Sequence, residues 1–186
     1  VVHTAGLIGG AAQRQPWKAV GVNVLGSEHV AEAARLAGTG RLVYTCSLGV
    51  YDFAKQPDVP MTEANPVSDE TVYAACKLSA EHLLRAWSRA CGLDVIVLRL
   101  TNVFGRGLYI GGSTGGEHMN ELVRGPAIGK PGRILPAVKG KGEWLYVKDA
   151  ASALALACER KEKSGYLLVN IGTGALSTDR DLVTAI

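Results

Sequence analysis

TVYAACKLSAEHLLRAWSRACGLDVIVLRL, residues 71–100, sets a helix directly before a strand. Thr71 to Cys91 reads as the helix, and Gly92 closes it, because a residue just past a helix end often needs the positive φ that glycine adopts without penalty. Asp94 to Leu100 (DVIVLRL) reads as the strand, and its almost continuous apolar character suits a parallel sheet covered on both faces. Upstream, Arg41 to Cys46 (RLVYTC) is a second buried strand, followed by an irregular stretch to Asn65-Pro66 rich in Asp and Pro. Pro16 to Leu36 has helical spacing, with Val20, Val24, Ala31 and Ala34 on one face, and Val1 to Ala5 is a short strand-like run. Downstream, the pattern loosens from Thr101 to Gly142, with one helix expected over Gly116 to Arg124. Glu143 to Val147 is then a strand, Lys148 to Arg160 an Ala-rich helix, Tyr166 to Ile171 a strand, and Asp179 onward a helix. Strands alternating with helices predict an α/β fold with a mainly parallel, doubly wound sheet, and a less regular region beside it.

The chain has 186 residues, 47% hydrophobic and 20% charged, which is enough for one sizeable core in an ordinary water-exposed domain. Its formal charge of +3 is small, and cations such as Arg124, Lys130 and Arg133 are dispersed, so no basic stripe points to nucleic acid. Cys46, Cys76, Cys91 and Cys158 are widely spaced and joined by no His at metal-ligand spacing, so reduced thiols in a cytoplasmic protein are expected. No apolar run reaches membrane-span length, and no signal-peptide pattern opens the sequence. The chain starts without Met inside a strand-like run and stops inside a helix, so both ends are expected to be cut.

Tyr73 and Lys77 lie four apart on the helix, so their side chains leave one face a turn apart. A free tyrosine ionises near about 10, and a nearby ammonium favours the phenolate, which makes Tyr73 a candidate acid/base and Lys77 its tuner. Tyr51 and Lys55 share this spacing, but they lie past a strand end, on a stretch running to Pro57 and Pro60 where no helix holds them together. Ser47 follows the strand RLVYTC, where the carboxyl end of a parallel strand opens into a ligand crevice and a hydroxyl can bind a substrate oxygen.

These motifs occur in an order that resembles an extended short-chain dehydrogenase/reductase of the NAD-dependent epimerase/dehydratase type. VVHTAG is similar to that family's V-x-H-x-A-A strand, and NVLGSEHVAEAARLAGTGRLVYTCSLGVYD to its N-V-x-G-T helix, serine-bearing strand and V-Y-G turn. YAACK resembles Y-x-x-x-K, LRLTNVFGRG resembles L-R-x-x-N-V-Y-G-P-G, YVKDAASALALA resembles V-H-V-D-D-x-A-x-A, and VNIGTG resembles N-I-G-x-G. The resemblance implies a partial Rossmann-type sheet. Residues 1–103 would form the later part of the dinucleotide-binding domain, and residues 104–186 a substrate-binding region interleaved with a returning strand and helix. It implies NAD or NADP as cofactor, approached by Ala5, Gly6, Tyr73, Lys77 and Leu100. Ser47, Tyr73 and Lys77 are the catalytic set it implies, with Lys77 holding the nicotinamide ribose and lowering the tyrosine pKa. Ser47, Asn102 and His118 would face a sugar or nucleotide-sugar substrate, with no metal. The helices matching Pro16 to Leu36 and Thr71 to Cys91 would pair in a homodimer.

Three departures narrow the expectation. The glycine-rich phosphate loop is expected upstream of residue 1; GLIGGAA has nearly the right spacing, but no second strand ending in an acidic residue follows it, so Gly9 and Gly10 are read as loop glycines. The Asp-Glu pair of the family's 4,6-dehydratases is replaced by Leu48 and Gly49, which disfavours dehydration by that route. The Arg that many nucleotide-sugar members carry seven residues before the Asp of V-x-D falls on Gly142, and Lys139 and Lys141 cannot make the same bidentate clamp. An epimerase or dehydrogenase of sugars is therefore expected first, a reductase of a non-sugar carbonyl compound second, and a non-catalytic cofactor-binding regulator third.

Overall fold

The computed structural model describes residues 1–55, 60–105, 114–132 and 141–185. Four parallel strands form the main sheet in the order β1 (Val2–His3), β2 (Arg41–Ser47), β3 (Asp94–Leu100) and β7 (Tyr166–Ile171). β2 and β3 pair along their full length, from Arg41 opposite Asp94 to Ser47 opposite Leu100, and Leu100 in turn lies opposite Ile171. The strand ends Ser47, Leu100 and Ile171 thus form one row, the edge at which parallel α/β sheets present ligand sites.

Alternation along the strands sends side chains to both faces. Tyr44, Cys46, Val95 and Val97 pack with Ala31 and Ala34 of α3 (Gly26–Leu36) and Leu78, Ala80 and Leu84 of α4 (Val72–Cys91). Val43, Ile96 and Leu98 pack on the other face, where α6 (Val147–Glu159) brings Ala153, Leu154 and Ala157. Each large aliphatic side chain so buried contributes roughly 1.5–3 kcal/mol. Helix α4 is defined at both ends: Thr71 Oγ1 accepts the Ala74 N–H at 3.0 Å, and Gly92 takes φ +67°.

The structure refines several expectations. The first strand covers only Val2–His3, and Gly9–Arg14 is a short helix, α1, not a loop. Its Ala12 is fully buried with Ala19 and Cys76, and this packing overrides the low helix propensity of Gly9 and Gly10. The helical run from Pro16 to Leu36 consists of α2 (Pro16–Ala19), a π-helical turn (Val20–Leu25) and α3. The helix expected at Gly116 to Arg124 is α5, Thr114–Ala127. The strand expected at Glu143 to Val147 is β6, Trp144–Tyr146, and it stands outside the main sheet, parallel to β4 (Asn102–Phe104). A further short antiparallel pair joins β5 (Lys141–Gly142) to β8 (Ser177–Thr178), just before α7 (Asp179–Ala185). All four cysteines are free, two of them buried.

Candidate active site

Ser47 is the last residue of β2, and its backbone is extended there. Its Oγ accepts the Gly49 N–H at 3.1 Å, which turns the chain sharply out of the sheet. Tyr73, one residue into α4, reaches the same point. A Cβ placed on Gly49 would lie 3.3 Å from Ser47 Oγ and 3.9 Å from Tyr73 Cε1, so the small residue lets the two side chains meet above it. The tyrosine is half-buried, and burial pushes its phenol pKa up to about 12, with a hydrogen bond from Ser47 opposing the shift.

Lys77 is nearly buried at 3% exposure, and burial lowers its pKa. Its ammonium donates to the Thr45 carbonyl at 2.9 Å and lies 4.7 Å from the centre of the Tyr44 ring. For the phenol of Tyr73 in the free chain, burial is the largest influence, and it acts upward.

Gly6, on the exposed strand exit Thr4–Gly6, lies against Lys77. A Cβ on Gly6 would come within 3.4 Å of Lys77 Nζ and 3.2 Å of Asn23 Oδ1, so glycine keeps this approach clear. Asn23 opens the NVLG motif, to which sequence reading gives no role at the site. It is 1% exposed and grips the backbone of Leu7 in both directions, accepting its N–H at 2.7 Å and donating to its carbonyl at 2.8 Å. The π-helical turn surrounds Asn23, and Ser27 Oγ donates to the Asn23 carbonyl at 2.7 Å while meeting His3 Nε2 at 2.9 Å. A buried Asn opening an N-V-x-G motif was the available signal, since a buried amide requires partners.

Leu100 sits beside Ser47 in register and is half-buried. Asn102, the first residue of β4, donates through Nδ2 to the Glu143 carbonyl at 3.0 Å and touches Gly115 of α5, so it ties the smaller strand pair to that helix. His118, expected on the substrate side, is fully buried, stacked on Trp144 at 5.9 Å, with Nε2 3.3 Å from Asp179 Oδ1. The second tyrosine and lysine at four-residue spacing do not form a pair: Lys55 holds Asp52 at 2.8 Å, and Tyr51 donates to Asn170 Oδ1 at 2.6 Å. A cleft of about 190 Å³ lined by Gly49, Tyr51, Asp52, Ser68, Glu70 and Thr71 borders the pair only through Gly49.

A profile of the NAD dependent epimerase/dehydratase family matches residues 1–172. The chain belongs to this family. It is 30% identical over 165 residues to a UDP-glucose 4-epimerase of Mycolicibacterium smegmatis, covering 89% of this chain and 51% of that protein. A dTDP-6-deoxy-L-talose 4-dehydrogenase (NAD(P)(+)) of Kitasatospora kifunensis is 30% identical over 185 residues, covering 98% of this chain and 56% of that one. A UDP-glucose 4-epimerase from Brucella ovis, solved in complex with NAD, superposes with a TM-score of 0.82 at 28% identity, covering 100% of this chain and 60% of that one. The chain spans about half the length of the curated relatives it matches. Among the described residues, no helix is long and apolar enough to cross a membrane.

Proposed function

We propose that the whole protein is an NAD-dependent enzyme that moves a hydride at an alcohol or carbonyl carbon of a sugar or nucleotide sugar, as an epimerase or dehydrogenase. The observation that carries this reading is the meeting of the Ser47 hydroxyl and the Tyr73 phenol above Gly49 at the carboxyl end of β2. The open approach at Gly6, beside Lys77, fits a dinucleotide, because a side chain there would fill the space between the strand exit and the ammonium. Ala5, Gly6, Lys77 and Leu100 would hold it, and when bound it supplies hydride acceptance and, in its oxidised form, a positive charge that favours phenolate.

Ser47 then orients the reacting substrate oxygen, and Tyr73 exchanges a proton with it. The half-buried phenol is held protonated at neutral pH by its surroundings, so the pair begins as a proton donor toward the substrate oxygen. Lys77 holds the site's floor by its bond to the Thr45 carbonyl and is one turn from Tyr73. Asn102 belongs to the substrate side, where it secures β4 to α5. A homodimer through the helical run from Pro16 and through α4 is part of the same reading. Trp17 at 88% exposure and Leu25 at 52% give the first of these an apolar outer surface.

A reductase of a non-sugar carbonyl compound is the second reading, favoured by Gly142. A Cβ there would meet the Trp144 indole at 3.2–3.4 Å, so the position has little room for a phosphate-clamping arginine. The deciding experiment measures turnover of the whole protein with UDP-glucose and NAD, and separately with carbonyl compounds and NADH. Replacing Tyr73 by Phe lowers turnover by roughly 10²- to 10⁴-fold under this proposal. Unchanged turnover in Y73F overturns the role of the pair, and net consumption of added cofactor excludes an epimerase that returns its hydride to the same substrate.

A further inference from the structure

We infer that Tyr51, Asn170 and Glu63 form a clamp that sets Ser47 against Tyr73, anchored beneath by the Arg99–Glu81 ion pair. The inference rests on the reading of Ser47 and Tyr73 as the reacting pair. Between the end of β2 and the start of α4 the chain makes an excursion over residues 48–71, and its path decides where the phenol stands relative to the hydroxyl. Regular structure in its described part amounts to two short 3₁₀ turns and a single antiparallel bridge, Tyr51 to Val67. That bridge is closed by two backbone bonds, Ser68 N–H to the Val50 carbonyl at 2.8 Å and Asp52 N–H to the Pro66 carbonyl at 3.0 Å.

Side chains attach this excursion to the sheet. Tyr51 is 4% exposed, and its hydroxyl donates to Asn170 Oδ1 at 2.6 Å. Asn170 lies on β7, the last strand of the sheet, and its outward N–H donates to Glu63 Oε1 at 2.6 Å. Glu63 thereby blunts a strand edge and pins the far limb of the excursion. Below the Tyr51 ring, at 4.9 Å from its centre, lies the Arg99 guanidinium. Arg99 forks onto Glu81 of α4, Nε to Oε2 at 3.1 Å and Nη2 to Oε1 at 2.7 Å, with both side chains 4% exposed.

The placement of these groups argues for positioning. Cys46, Arg99 and Asn170 are opposite one another on β2, β3 and β7, one residue before the row Ser47, Leu100 and Ile171. The clamp is therefore built on the same strand ends as the site, and Glu81 carries it to the helix that bears Tyr73. A buried ion pair adds little net stability but penalises other geometries, which is the property a positioning device needs. Tyr51, Asn170, Glu63, Arg99 and Glu81 are positioning residues, since none of them touches the reacting hydroxyls in this arrangement.

The test uses the whole protein with ¹³Cζ-labelled tyrosines, the Tyr73 signal being assigned by its loss in Tyr73→Phe. Tyr51→Phe removes one hydroxyl and keeps the ring over Arg99; Asn170→Leu removes the acceptor; Asn170→Asp keeps it. In the first two variants the Asp52 and Ser68 amides exchange about tenfold faster while those of α6 hold their rates. The Tyr73 titration midpoint falls by about one pH unit, because a loosened site lets water reach the phenol. Asn170→Asp restores both readings. If Tyr51→Phe leaves the Tyr73 signal and midpoint at parent values, the clamp is overturned, even where loop exchange accelerates. Neither readout needs turnover, so failure of the clamp and failure of the catalytic reading are separate results: the former appears in Tyr73's titration, the latter in the activity of Tyr73→Phe.

Discussion

The titration of Tyr73 links the site to stability. Its folded pKa is raised to about 12 from 10.0, so between those values the folded chain keeps a proton that the unfolded chain has released. Stability is thus fully present below pH 10 and is lost as pH rises toward 12, by about 1.4 kcal/mol for each pH unit crossed between the two values. Urea midpoints measured from pH 9 to 11 are expected to fall, and Tyr73→Phe to flatten the slope; equal slopes in both proteins remove Tyr73 as the cause. Tyr44 and Tyr166, also raised by burial, add to the fall in both proteins and leave the difference intact. The candidate pair was legible at this scale because Ser47 ends a strand and Tyr73 opens a helix, both facts of local pattern. The direction of the pKa was not legible. It depends on how deeply packing buries the phenol, and local spacing on the helix holds no record of that.

Helix α4 fixes where Tyr73 and Lys77 leave the backbone, and its two ends hold it by local chemistry. Thr71→Ala removes the acceptor for the Ala74 N–H and is expected to cost about 1 kcal/mol. Gly92→Ala forces a side chain into φ +67° and is expected to cost a similar ~1 kcal/mol. Thermal or urea unfolding checks both, and values near zero mean that tertiary packing alone sets these ends. The boundaries of β3 match the residues read from sequence, and those of α4 differ only at Thr71, which caps the helix instead of opening it. The region from Pro16 to Leu36 carried the right period but hid a π-helical turn. The extra residue in that turn accompanies the buried Asn23, which grips Leu7 sixteen residues upstream, and periodicity holds no record of such a contact.

Across the whole molecule, the row of strand ends gathers Ser47 and Leu100, while Asn102 and His118 belong to the smaller elements beside it. The outer face of the long helical run carries Trp17 and Leu25, and Leu83 of α4 is also 38% exposed. A homodimer buries such residues. Sedimentation of the whole protein is expected to give twice the chain mass, and Trp17→Glu to shift it toward the monomer; a parent that is monomeric at all concentrations overturns the dimer. The alternation of strands and helices, the parallel sheet and the order of the motifs are set locally, because hydrophobic period and caps are written within ten or twenty residues. Tertiary structure alone decided that β6 leaves the main sheet, that His118 turns to Trp144 and Asp179, and that Lys77 faces Thr45. Those outcomes are choices among partners far apart in the chain, and a buried polar group takes whichever partner the packing brings within reach.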